Sequence, residues 1–103
     1  MILVAAAISG AGLLLAESDN EAIATAARKY IAAHSDVSEF DVKVEKIEGD
    51  YARVGVTPKH RNEADPAWVF LKREHEVWHG LTMGTYFTAE DYNKFHIPVG
   101  IQP

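Results

Sequence analysis

The chain contains no cysteine, and this absence removes several kinds of chemistry at once. Disulfide bonds, thiolate metal sites, cysteine nucleophiles and a lipidated anchor cysteine are all excluded. The chain also lacks a run of lysine or arginine, and its formal net charge is −5. An acidic chain without a basic patch lacks the electrostatic footprint for binding nucleic acid or anionic lipid. We therefore expect no nucleic-acid partner.

Glycine-rich phosphate loops are missing too, because Gly10 and Gly12 lie in an apolar N-terminal segment. No serine, histidine and aspartate combination can be argued, since Ser18, Ser35 and Ser38 lie at predicted element ends, where capping explains them. These absences predict a domain without a cofactor. With 103 residues, the chain has the length of a single domain.

The N-terminal segment predicts export. Residues 1–16 carry no charged side chain, and residues 2–16 are apolar except for Ser9. Such a run is too short to span a bilayer comfortably but fits the hydrophobic region of a signal peptide. No Lys or Arg precedes the run, and Leu14 lies where cleavage after Ala16 requires a small residue, so a buried N-terminal helix or strand is the alternative.

Hydrophobic periodicity predicts an α+β domain over residues 17–103. Ser18 and Glu21 form a capping-box pattern, after which apolar residues recur at helical spacing. Alternating apolar residues then predict strands. The predicted elements are a helix from 18 to about 34, strands at 40–44, 52–56, 67–72 and 77–83, a turn at 48–50, and a short helix at 89–95 capped by Thr88. We expect the N-terminal helix to pack on a four-stranded antiparallel meander.

A string of residues in the C-terminal half resembles small exported bacterial proteins, most of which have no assigned function. The string consists of Gly49, Asp50, Tyr51, Ala52, Val54, residues 67–74, Trp78, Gly84, Thr85, Phe87, Ile97 and Pro98. The resemblance implies an NTF2-like or cystatin-like fold and an export route to the periplasm or the exterior. It implies almost nothing about chemistry. The chain departs from the pattern at His75 and Glu76, where a glycine-containing turn is usual, and at Tyr86, which is commonly glycine.

The sequence contains one motif that is typical of a catalytic zinc site. Residues 75–79 read HEVWH, so on a helix His75 and His79 would share a face and bind Zn²⁺, while Glu76 would activate a water. Strand character on both sides predicts a hairpin turn instead. In an extended strand the two histidines would lie about 13 Å apart, too far for one metal ion. A minimal zinc-dependent metallopeptidase is therefore the alternative to a non-catalytic domain.

Two regions are candidate binding surfaces. Trp68 and Phe70 lie on one face of a predicted strand whose two faces are both apolar, and they would supply apolar anchors. His60 and Arg61 lie in the polar loop 59–66 and would contact a partner from there. We predict an exported binding domain for a protein or a small molecule, monomeric or weakly dimeric, with no membrane anchor once the leader is removed. A pocket enzyme of the NTF2-like kind would need an inward acid–base pair, which the sequence does not reveal.

Overall fold

The computed structural model describes residues 11–60 and 65–103, the side chains of residues 11–18 excepted. In chain order the elements are α1 (Ala11–His34), β1 (Phe40–Glu48), β2 (Tyr51–Pro58), β3 (Ala67–Glu74), β4 (Val77–Gly84), α2 (Ala89–Lys94) and a 3-10 turn (Val99–Ile101). The strands form one antiparallel sheet in the order β1-β2-β3-β4. The predicted α+β class, with a helix packed on a four-stranded meander, is confirmed.

The start of α1 differs from the prediction. The helix begins at Ala11 rather than at Ser18, so the capping-box pattern there does not mark a helix start. The reason is local: residues 13–16 are Leu, Leu, Leu and Ala, all strong helix formers, and no proline or glycine separates them from Ser18. The predicted end near His34 is confirmed.

The predicted leader overlaps α1. Residues 1–10 lie outside the described part of the chain, and the boundary expected after Ala16 falls inside the helix. Over residues 11–60 and 65–103, no helix combines the length and the hydropathy needed to cross a bilayer.

One face of the sheet packs against α1. Ile23, Ala27 and Ile31 form the buried stripe of the helix, with at most 1% of each side chain exposed. They meet a sheet surface made of Ala52, Val54, Val56, Val69, Leu71 and Trp78. Burial of a large aliphatic side chain stabilises a fold by roughly 1.5–3 kcal/mol, so this layer supplies much of the driving force for folding.

The opposite face is covered by the C-terminal segment. Phe70 is fully buried there, together with Ile97 and Ile101. The rings of Phe87 and Tyr92 meet Phe70 edge-on, with centroids 5.0 and 6.1 Å away. The segment is also tied to the sheet by polar contacts.

Arg53 of β2 ties this segment to the sheet, because its Nη1 donates to the carbonyl oxygen of Ile101 at 2.7 Å. Within the segment, α2 begins with a capping box at Thr88, the residue that the sequence predicts as its cap. The Thr88 side chain accepts from the backbone N–H of Asp91, and the Asp91 side chain accepts from the backbone N–H of Thr88. The sheet therefore has a cover on each side.

The β1–β2 and β3–β4 turns each contain two residues. Gly49 has φ = 60°, as a type II′ turn requires at its first central position. His75 and Glu76 have φ values of 53° and 68°, the combination that a type I′ turn requires. Residues 75–79 therefore form a hairpin turn and the start of β4, as strand character predicts, and the turn type is now defined.

A β-bulge in β4 decides which side chains reach each face. Phe70 pairs with Thr82 whereas Leu71 pairs with Gly80, so Leu81 is an extra residue on β4. The bulge lets Leu81 join the Phe70 side of the sheet. Gly80 and Trp78 remain on the side that faces α1.

Candidate functional site

An open groove of about 1060 Å³ runs between α1 and β4. Its one wall is the stretch of α1 from Glu21 to His34, and its other wall is the turn and first half of β4, residues 76–81. The groove lies where α1 makes more contacts with β4, a strand at the border of the sheet, than with any other strand. Helix and sheet border therefore lie side by side with a gap between them.

Tyr30 joins the two walls. Its ring lies so close to Gly80 that a Cβ at position 80 would collide with it. Its hydroxyl donates a long hydrogen bond, 3.4 Å, to the carbonyl oxygen of Leu81. Burial raises the pKa of the Tyr30 phenol, so the hydroxyl keeps its proton at neutral pH. His34 stacks on the same ring at 4.0 Å, and its Nδ1 donates to the Tyr30 carbonyl.

Trp78 contributes a buried donor without an acceptor. The side chain is 7% exposed, and its indole Nε1 has no hydrogen-bond partner among the described residues. A buried polar group left unpaired costs about 1–3 kcal/mol, and such groups are uncommon in folded proteins. Trp78 also lines the groove. A ligand that brought an acceptor to this N–H would remove that cost.

Arg73 holds the indole from the far side. Its guanidinium lies 5.4 Å from the Trp78 ring centroid. Two hydrogen bonds to Asp50 Oδ1, at 3.1 and 3.0 Å, fix the guanidinium, and they raise the pKa of Arg73. Asp19 of α1 lies 3.8 Å away. Arg73 thus connects β3 with α1 and with the β1–β2 turn at the end of the groove near Asp19.

The border of β4 offers backbone hydrogen-bonding groups. Within the described residues, β4 has β3 on one side and no strand on the other. A two-residue turn makes Glu74 and Val77 the hydrogen-bonded pair that closes the hairpin. Because hydrogen-bonded and non-hydrogen-bonded pairs alternate, the backbone N–H and C=O groups of Trp78 and Gly80 point outward. Both residues line the groove.

The charges along the groove are unevenly distributed. Glu21 of α1 and Glu76 of the turn are both acidic and exposed, and Lys29 lies two helical turns beyond Glu21. The stretch between them is lined by small side chains, Ala22, Thr25 and Ala26. Neither Glu21 nor Lys29 forms a salt bridge in the part of the chain that the structure describes. The groove is therefore acidic at one end and basic further along.

The residues predicted from sequence to bind a partner lie elsewhere. Phe70 is fully buried beneath Phe87 and Tyr92, so it presents no surface to a ligand in this structure. Trp68 is half-buried on the same side. His60 is exposed and its Nε2 lies 2.7 Å from Glu39 Oε1. Arg61 lies outside the described residues, as do the next three residues of its loop.

The residues of the zinc alternative do not form the helix that it requires. His75 and Glu76 occupy the hairpin turn, His79 lies in β4, and all three are exposed. Among residues 19–60 and 65–103, no three side chains of His, Asp or Glu are close enough together to hold a metal ion. Residues 75–79 therefore adopt a turn followed by a strand, and not a helix that could hold zinc.

Sequence reasoning missed Tyr30 and Gly80 as parts of a site. One signal was available, because a glycine inside a strand pattern often marks a close approach of another group. The sequence does not show which group approaches. It shows neither the order of the strands in the sheet nor the strand beside which the helix lies.

No protein-family model, curated protein or solved structure matches this chain.

Proposed function

We propose that this domain is a non-catalytic binding module whose ligand lies in the groove between α1 and β4. The observation that carries the proposal is that Trp78 lines the groove with an indole N–H that has no acceptor among the described residues, on a strand whose outer border has no partner strand there. Binding sites typically combine an apolar cleft with a few polar groups that converge on it. Here the cleft has small apolar side chains on α1 and unused donors on β4.

The face of the sheet opposite α1 is filled by the chain's own side chains, which favours the groove as the binding site. In this domain Phe70, Ile97 and Ile101 fill that face with closely packed side chains. Among the described residues, the groove on the α1 side has space that the chain itself does not occupy.

Export is part of the same proposal. Its support is the uncharged apolar run of residues 2–16, which fits the hydrophobic region of a signal peptide, and the proposed site of action is the periplasm or the exterior. The mass of the protein isolated from its own cells tests this point. A chain that begins near Glu17 is expected, and a full-length chain would contradict export by cleavage.

Ligand mapping by ¹⁵N NMR tests the site. A pooled library of short peptides and fragments is titrated into the protein, and shifts are expected at Gly80 and at the Trp78 indole. Thr25 is exposed in the groove, so Thr25→Tyr should block it and remove the shifts. Ala32 is exposed on the same helix but outside the groove, so Ala32→Tyr is the matched control. Shifts confined to Trp68 or to the loop around His60 would instead assign binding to the surface predicted from sequence.

A further inference from the structure

We propose that the groove binds an extended peptide segment of a partner protein, which adds to β4 as a fifth, antiparallel strand. The segment carries an acidic residue and, about four positions later, a basic residue. This inference rests on the proposed function, because it names the class of ligand for the same groove. It is carried by three features of the groove: unused backbone groups, a helix wall of small side chains, and separated charges.

The backbone groups define the form of the ligand. Trp78 and Gly80 direct N–H and C=O groups away from β3, which is the array that an added strand pairs with. The next carbonyl, that of Leu81, already accepts from the Tyr30 hydroxyl. Pairing is therefore limited to about four residues of β4, ending where the Tyr30 hydroxyl meets Leu81. An antiparallel strand continues the pattern of the sheet, in which every neighbouring pair is antiparallel.

The helix wall defines the space. Ala22 and Ala26 are small, and Thr25 is exposed between them, so side chains of an added strand can lie against α1 without displacing it. Trp78 also lines this space, and its indole N–H has no acceptor among the described residues. A carbonyl or side-chain oxygen of the incoming segment would supply that acceptor.

The charges define direction and spacing. Tyr30 contacts Gly80, while Asp19 lies 3.8 Å from Arg73, the partner of Trp78 in the sheet. The part of α1 around Asp19 thus lies beside the start of β4, and Tyr30 lies further along it, so the helix and the strand run the same way. An antiparallel segment then meets Lys29 first and reaches Glu21 and Glu76 last.

The spacing follows from the geometry of helices and strands. Glu21 and Lys29 lie about 12 Å apart along the helix, because each residue rises about 1.5 Å. A strand covers that distance in about four residues. An acidic residue near Lys29 and a basic residue about four positions later therefore complement both ends of the groove, and both side chains project to the same face of the segment.

A second copy of the chain, paired through its own β4, fits less well. β4 contains no Asp, Glu, Lys or Arg, so the strand that it adds would bring no charge to Glu21 or Lys29. A segment from another protein with the stated charge order satisfies both ends. Charge complementarity therefore assigns the groove to a partner rather than to a dimer.

The test uses two blocked heptapeptides, Thr-Glu-Val-Thr-Val-Lys-Thr and the same sequence with Glu and Lys exchanged. The first is expected to bind the wild-type protein with shifts at Trp78 and Gly80, and the exchanged peptide about threefold to tenfold more weakly. In the triple variant Glu21→Lys, Lys29→Glu, Glu76→Lys, in which both ends of the groove change sign, this preference should reverse. Arg28→Glu, a charge change on the same helix but outside the groove, should leave the preference as it is.

N-methylation provides a readout that needs no variant of the protein. Methyl groups on the peptide nitrogens that face β4 should abolish binding, whereas methyl groups on the alternate nitrogens should be tolerated. Equal tolerance of both patterns, or a charge preference that does not reverse, overturns strand addition. If ligands from the pooled library still shift the groove residues in that case, the proposed binding function stands and only strand addition is overturned. Concentration-dependent shifts at Trp78 and Gly80 without any peptide would assign the groove to a second copy and overturn the inference as well.

Discussion

The ring of Tyr30 in α1 lies directly on the backbone of Gly80 in β4, leaving no room for a side chain at position 80. This contact sets the distance between the helix and the border of the sheet. Next to it, the Tyr30 hydroxyl donates to the carbonyl oxygen of Leu81. One glycine thus fixes how closely the helix wall of the candidate binding site approaches β4.

Gly80→Ala should therefore destabilise the domain. The added methyl group collides with the Tyr30 ring, and overpacking of this kind costs about 1–3 kcal/mol. Gly84→Ala is the matched control on the same strand, because its Cβ would meet its neighbours at ordinary distances of 3.4 Å or more. Urea unfolding measures both, and Tyr30→Ala in the Gly80→Ala protein should recover part of the loss. Equal losses at the two glycines would contradict the close contact.

A glycine substitution in the β3–β4 turn should increase the stability of the domain. Glu76 has φ = 68°, a conformation that costs a non-glycine residue about 1–2 kcal/mol and glycine almost nothing. Glu76→Gly should accordingly raise the free energy of unfolding by about 1 kcal/mol. Gly49→Ala, at φ = 60°, should lower it by a similar amount. Urea denaturation midpoints of the two variants are expected to move in opposite directions, and a loss of stability in Glu76→Gly would contradict the turn geometry.

The capping box of α2 should make stability depend on pH in the acid range. The backbone N–H of Thr88 donates to Asp91 at 2.8 Å, which lowers the pKa of Asp91 below its ordinary value of 3.8. A lowered pKa in the folded state means that the carboxylate stabilises the fold above pH 3.8, and that this contribution is lost as the pH falls through the folded-state pKa.

The Tm difference between wild type and Asp91→Ala should therefore be constant near neutral pH and shrink below pH 3.8. Glu90 lies in the same turn but makes neither capping hydrogen bond, so Glu90→Ala serves as the control. A difference for Asp91→Ala that stays unchanged down to pH 2.5 would show that the capping contact contributes nothing to stability.

The fold was predictable because its signals are local. The alternation of apolar residues defined the strands, and Thr88 with Asp91 defined the start of α2. The start of α1 was predicted wrongly because a cap pattern at Ser18 was given more weight than the helix-forming residues before it. Local signals compete in such a case, and the sequence does not rank them.

The candidate site was not predictable in the same way. Its walls come from α1 and β4, which are separated along the chain by the first three strands. Phe70 has the pattern of a residue on a second apolar face, but only the packed structure shows that Phe87 and Tyr92 cover it. Sequence shows which faces are apolar, whereas the covering of each face depends on tertiary contacts.

The two tryptophans should differ in their contribution to stability. Trp78 is 7% exposed in the core beneath α1, and truncation of such a residue to Ala costs roughly 3–5 kcal/mol. Small domains have about 5–15 kcal/mol in total, so Trp78→Ala should lower the Tm by more than about 10 °C. Trp68 is only half-buried, so Trp68→Ala should cost clearly less. Equal large losses would mean that the side of the sheet around Trp68 is as closely packed as the core.

Trp78→Phe separates packing from hydrogen bonding at the same position. The variant keeps an aromatic ring against α1 but removes the indole N–H that has no partner. Part of the packing loss should be offset, because an unsatisfied buried donor disappears with it. Thermal unfolding should therefore place Trp78→Phe close to wild type, while its affinity for groove ligands falls because the donor is missing. If instead the variant bound such ligands as tightly as wild type, the indole N–H would have no part in recognition, and the backbone groups of β4 alone would have to account for it.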